Sequence, residues 1–169
     1  MSKIGIFYAS AMGNTEAVAL DMQQEFGMDT ADVIHVADAD KDMVSAYTYL
    51  VIGGSTWGTG EIQDDMADFM DMLDEVKLEN KKVALYGLGD QVAYPAAFAD
   101  SLGDLYDKMV GKKARIVGEW PLEGYEFKAS RAERNGKFVG LVLDVDNQPD
   151  KTHDRISQWV GQLREAFGV

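Results

Sequence analysis

The sequence predicts a doubly wound α/β fold, a parallel sheet with helices on both faces. Three observations predict it. Short apolar runs alternate with longer amphipathic stretches along the 169 residues, the β-α-β-α rhythm of parallel sheets. Several runs are near-continuous in Val, Ile, Leu and Tyr, as parallel strands buried on both faces require. In the last amphipathic stretch, Ile156, Trp159, Val160, Leu163 and Phe167 recur at helical spacing.

The strand candidates, in order, are Lys3–Tyr8, Asp32–Val36, Tyr49–Gly53, Lys82–Leu88, Ala114–Gly118 and Phe138–Leu143. The helix candidates between and after them are Thr15–Phe26, Asp42–Ala46, Gln63–Leu73, Pro95–Val110 and Thr152–Phe167. Glu119–Lys137 breaks the pattern with Pro121, two Gly and many charges, and it shows no clear periodicity. Lying between two short β-like runs, it reads as an excursion that interrupts the last strand. No Pro/Ser-rich linker, low-complexity tract or repeat divides the chain. Its length suits one domain, residues 1–169.

Composition narrows the chemistry. Cysteine is absent, which excludes disulfides, thiolate metal sites and a Cys nucleophile. The net charge of −13 repels nucleic-acid phosphates and anionic lipid, and it attracts basic partners. No apolar run approaches the roughly 20 residues that span a bilayer. No basic-then-apolar leader is visible, so a cytoplasmic protein is expected.

Ligands of open α/β sheets bind beyond the carboxyl ends of the strands, where strand order reverses. The turns after the first, third and fourth strands are therefore the places to look. The first reads A-S-A-M-G-N-T (Ala9–Thr15). Ser10, Asn14, Thr15 and backbone N–H groups enter a helix whose N-terminus favours anions. No Lys or Arg is present, so the turn is either a neutral phosphate cradle or a plain capped turn. It is neither a Walker A loop nor G-x-G-x-x-G. The second turn sets Trp57 among Gly, Ser and Thr, as a surface platform or as a buried anchor. Gly58 and Gly60 allow the peptide between them to reorient. The third turn, Gly87–Tyr94, offers Asp90 and a second aromatic, Tyr94. Two aromatics and an anion cradle on three neighbouring turns together suit a flat, phosphorylated ligand.

Other candidates fail. Asp38, Asp40 and Asp42 open like an EF-hand loop, but Met43 and Tyr49 stand where Gly and Glu are required. His35 and His153 lack metal-ligand spacing, and no metal site is expected. A phospho-receiver site would need acidic residues where Ala9-Ser10 and Gly54-Ser55-Thr56 stand.

Taken together, S-x-x-G-N-T-E, S-T-W-G-T-G-E-I-Q, V-A-L-Y-G-L-G-D-Q, W-P-x-x-G-Y-x-F and V-G-L-V-L-D-x-D-N-Q resemble the long-chain flavodoxins, in order and over almost the whole chain. The resemblance implies a five-stranded parallel sheet in the order 2-1-3-4-5, the topology for which flavodoxin is itself the standard illustration. The Glu119–Lys137 excursion would be an insertion in the fifth strand. The implied cofactor is non-covalent FMN. Ser10, Ala11, Met12, Gly13, Asn14 and Thr15 would wrap its phosphate, with Ser55 and Thr56 beside them. Trp57 and Tyr94 would stack on the two faces of the flavin ring. Gly58, Thr59 and Gly60 would meet the N5 edge. Gly87, Leu88, Gly89 and Asp90 would meet N3, while Phe98, Ala99, Asp146 and Asn147 complete the surroundings. Met12 replaces the usual Thr or Ser, Ser55 a common Pro, and Ala99 a residue that is polar in some members.

The implied activity is not enzymatic. It is low-potential one-electron transfer, mainly between semiquinone and hydroquinone, with a flip of the Gly58–Thr59 peptide supporting the former. The implied partners are basic surfaces, such as a ferredoxin/flavodoxin-NADP reductase or a low-potential oxidoreductase, steered by Glu61, Asp64, Asp65 and Asp68. No nucleic acid or membrane would be bound, and the protein would be a monomer. The competing readings are an FMN-dependent NAD(P)H:quinone reductase of the same fold and a flavin-less interaction domain.

Overall fold

A computed structural model describes residues 3–9, 13–57 and 60–169, with Trp57 described by its backbone alone. The first strand, β1 (Ile4–Tyr8), is buried throughout. Then follow α1 (Asn14–Phe26), β2 (Ala31–His35), α2 (Lys41–Ala46) and β3 (Tyr49–Trp57). A short β4 (Glu61–Ile62) folds back antiparallel on the end of β3. Next come α3 (Asp64–Met72), β5 (Lys82–Leu88) and α4 (Asp100–Gly111). After them stand β6 (Arg115–Val117), β7 (Trp120–Pro121), β8 (Glu133–Arg134), β9 (Lys137–Phe138), β10 (Leu141–Leu143) and α5 (Pro149–Phe167).

The main sheet runs β10-β5-β3-β1-β2, with β6 also on β5. β6 pairs in parallel with Lys82–Ala84 and β10 with Tyr86–Leu88. They are the two halves of one fifth strand, so the order is the expected 2-1-3-4-5. Between the halves, β7, β9 and β8 form a small antiparallel sheet. Phe98, Tyr125, Phe127 and Phe138 close over it as one aromatic cluster.

Strand order reverses between β1 and β3. Right-handed crossovers therefore put α1 on one face and the helices that follow β3 and β5 on the other. α1 packs on α5, and α4 packs on β3 and β5. The periodic residues of α5 are all buried, and Trp159 Nε1 donates to the Gly118 carbonyl at 2.8 Å.

Several expected boundaries move. The strand placed at Tyr49–Gly53 runs on to Trp57, held by antiparallel pairing with Glu61–Ile62, and the helix placed at Thr152–Phe167 begins at Pro149. The helix placed at Pro95–Val110 begins at Asp100, because Ala99 is left-handed at φ 53°. The Pro95 carbonyl instead accepts the Lys128 and Ala129 amides from the insertion. The strand placed at Phe138–Leu143 is two strands, because its first residue pairs within the small sheet.

Candidate cofactor-binding site

The carboxyl ends of β3 and β5, the start of α1 and the turn after β10 enclose a cleft. Asn14, Ser55, Thr56, Leu88, Gly89 and Asp90 line it, and so do Tyr94, Ala97, Ala99, Val145 and Asp146. Two acids and no cation are among these residues.

The first wall is the entry to α1. The helix starts after Gly13, a left-handed residue at φ 85° with no side chain to cap the helix. A Cβ on Gly13 would meet nothing within 4 Å. The first turn of an α-helix leaves its N–H groups without intrahelical partners, and the helix dipole makes them a seat for negative charge. Asn14 faces this space. Thr15 braces the turn from below. It is fully buried, and its hydroxyl donates to the Ala9 carbonyl at 2.5 Å. The Tyr86 hydroxyl donates to the Thr15 carbonyl at 3.1 Å. Beside the turn, Tyr8 donates to Glu16 Oε2 at 2.5 Å. Burial, followed by that bond to a carboxylate, pushes the Tyr8 phenol up to about 12.

The opposite wall is held by its own carboxylates. Asp90 Oδ1 accepts the amides of Val92 and Ala93 at 3.0 and 2.8 Å, and Asn147 Nδ2 at 2.8 Å. The Ala93 amide above all, with Asn147 and Val92, holds the Asp90 carboxyl below its ordinary value. Asp144 is fully buried at the end of β10. Its Oδ2 accepts Gln91 N at 3.0 Å and Gln91 Nε2 at 2.8 Å. Its Oδ1 accepts the Asn147 amide at 3.0 Å. One buried acidic side chain thus joins the turn after β5 to the turn after β10. Tyr94 lies on this wall, on the cleft lining and 41% exposed.

The flavodoxin family model matches residues 6–159. The chain belongs to the flavodoxin family. The flavodoxin of Synechococcus elongatus is 47% identical over 170 residues, the whole of both chains. The flavodoxin of Helicobacter pylori is 41% identical, covering 99% of each. A crystal structure of Fusobacterium nucleatum flavodoxin bound to flavin mononucleotide is 30% identical, with a TM-score of 0.91. It covers 98% of this chain and 99% of its own.

Of the residues that the flavodoxin resemblance implicates, the cleft brings together Asn14, Ser55, Thr56, Leu88, Gly89, Asp90, Tyr94, Ala99 and Asp146. Ser10, Ala11, Met12, Gly58 and Thr59 lie outside the described residues, as does the Trp57 side chain. Three others stand behind the cleft. Gly87 is buried in β5, Phe98 belongs to the aromatic cluster, and Gly60 packs on Asp100. Sequence reasoning missed Ala97 and Val145 on the lining, and Asp144 and Gln91 as the tie behind it. The available signal for Asp144 is a carboxylate directly following the apolar run Leu141–Leu143, within the V-L-D-x-D-N-Q motif.

The residues present fit a flavin phosphate. A helix that starts at a left-handed glycine, with no side-chain cap among the described residues, offers neutral donors to a phosphate. An exposed tyrosine and small apolar side chains suit a planar ring. Among the described residues, no helix is long and apolar enough to cross a membrane.

Proposed function

We propose that this protein binds FMN in the cleft and carries single electrons between redox partners. The observation that carries the reading is the pairing of the α1 N-terminus, with Asn14 on the cleft, and the exposed Tyr94 across the sheet's switch point. FMN supplies the one-electron chemistry when bound. The chain's part is to hold, orient and shield it. The first N–H groups of α1, with Asn14 and Thr56, receive the phosphate. Tyr94 receives one face of the ring, and Trp57 the other. The backbone of Gly89 and Asp90, fixed by the Asp144 tie, meets the polar edge.

The same lining makes the carrier strongly reducing. Asp90 and Asp146 face the cleft with no Lys or Arg beside them. Added negative charge on a group held there is repelled by these carboxylates and by the chain's net charge of −13.

Glu61, Asp64, Asp65 and Asp68 are all exposed on β4 and α3, beside the end of β3. They present an anionic edge to a basic partner, such as an NADP-linked reductase, in an association that weakens with salt. The reductase and flavin-less alternatives are not favoured, since the curated relatives match over their full lengths as flavodoxins.

The test is titration of apoprotein with FMN, followed by quenching of flavin fluorescence and then by stepwise anaerobic reduction. Tight one-to-one binding and two resolved one-electron steps are expected. Protein that does not quench added FMN, or that turns over NADPH and quinone unaided, would overturn the proposal.

A further inference from the structure

Among the groups through which the fifth-strand insertion reaches back toward the cleft is the side chain of Arg131. Its backbone amide donates to Asp100 Oδ1 at 2.7 Å, which fixes where the side chain starts. Its Nη2 donates to the Gly60 carbonyl at 2.9 Å and to Asp104 Oδ2 at 2.9 Å. Its Nε lies 3.7 Å from Asp100 Oδ2, whose side chain is only 9% exposed. The guanidinium therefore answers a carboxylate that water scarcely reaches.

Gly60 is where the second turn re-enters the sheet. The next residue, Glu61, pairs with Trp57 across the β3–β4 hairpin. Gly60 is buried and has φ 106°, and a Cβ there would stand 2.9 Å from Asp100 Oδ2. At the other end of the turn, Thr56 Oγ1 accepts the Ser101 amide at 3.1 Å and lies 2.7 Å from Ser101 Oγ. The first residues of α4 and Arg131 thus hold both ends of the second turn. Arg131 itself is not on the cleft lining.

We infer that Arg131 is a positioning residue for the cleft: by clamping the Gly60 carbonyl against Asp100 it fixes the return of the second turn. The insertion thereby contributes to cofactor affinity without touching the cofactor. The inference rests on the FMN site proposed above. Lysine is a poor substitute, because a single ammonium lacks the planar fork that serves the Gly60 carbonyl and two carboxylates together.

The test compares FMN titrations of apoprotein for wild type, Arg131→Ala, Arg131→Lys and Arg134→Ala. Visible circular dichroism of the bound flavin and apoprotein melting temperatures are recorded alongside. Arg134 belongs to the same insertion, pairs with Asp107 at 2.9 Å and donates from Nε to the Arg131 backbone carbonyl at 3.0 Å, but it has no bond to Gly60 and none to the Arg131 guanidinium. Arg131→Ala is expected to raise the FMN Kd about five- to tenfold, the net scale of one ordinary hydrogen bond, and to alter the dichroism. Arg131→Lys should recover part of the loss, and Arg134→Ala should bind as wild type. If the alanine variant does not fold, Arg131→Gln takes its place with the same expectation. Unchanged Kd and dichroism in the Arg131 variants would overturn the inference, even if their melting temperatures fell. So would an equal loss of affinity in Arg134→Ala, which would mean general loosening. Failure of wild type to bind FMN would remove the site proposed above, and this inference with it.

Discussion

The two walls of the cleft are built on opposite plans. On the β5–β10 side, polar groups are satisfied within the protein. Asp90 and Asp144 accept the amides and side chains of Val92, Ala93, Gln91 and Asn147. On the α1 side, the helix begins at left-handed Gly13, and among the described residues no side chain caps it. A wall that meets its own hydrogen-bonding needs can be rigid before ligand arrives. A helix start, whose first N–H groups lack intrahelical partners, invites an anion to meet them. A site of this kind gets its shape from one side and its charge recognition from the other.

Removing the tie should have the largest effect. Asp144→Ala leaves the buried donors of Gln91 without an acceptor and frees the exposed Asn147 from this tie, and it is expected to destabilise the apoprotein by roughly 3 kcal/mol in urea unfolding. An unchanged unfolding midpoint would mean that this wall does not depend on its carboxylate. Tyr94→Ala, on the same wall, should weaken FMN binding by about 1–3 kcal/mol, on the scale of base–aromatic stacking, with little change in apoprotein stability. Trp57→Ala should do the same, and full affinity in both variants would break the assignment of ring faces.

Gly13→Ala probes the α1 wall. Nothing blocks a Cβ there, but φ 85° strains any L-residue. The expected cost is about 1 kcal/mol of stability in thermal or urea unfolding. A larger loss of FMN affinity than of stability would show that the cradle depends on this backbone conformation.

The smallest effect concerns His153. It joins α5, which leaves the saturated wall, to α1, whose start forms the other. Its Nδ1 lies 3.1 Å from Asp21 Oδ2, and its Nε2 lies 3.6 Å from Glu25 Oε1. The hydrogen bond to Asp21 above all raises the His153 pKa above its ordinary value. The folded state therefore holds the proton more tightly than the unfolded chain does. The resulting stabilisation is complete below about pH 6.5 and is lost as pH climbs through the raised value. The melting temperature of His153→Gln should fall below that of wild type at pH 6 and converge with it at high pH. A constant difference across that range would show that the imidazole's charge plays no part.

Local pattern was enough for most of the fold. Near-continuous apolar runs marked β1, β3 and β5, and the spacing of Ile156, Trp159, Val160, Leu163 and Phe167 marked the buried face of α5. Where contacts from distant parts of the chain compete with local propensity, pattern failed. The start of α4 moved to Asp100 because Pro95 accepts amides from the insertion. Phe138 left the strand expected of it because its partners are Trp120 and Glu133.

The site divides in the same way. The sequence by itself determined which three segments follow the strands and which residue types they carry, because turn chemistry is a local property. Only the tertiary structure decided that Thr15 braces the turn from below, that Phe98 faces the insertion, and that Asp144 and Arg131 secure the cleft from behind. Asp144 lies 53 residues from Gln91, and Arg131 lies 71 from Gly60. A hydrogen bond that closes so long a loop leaves no periodicity in the chain. It exists only once the sheet has brought its partners together.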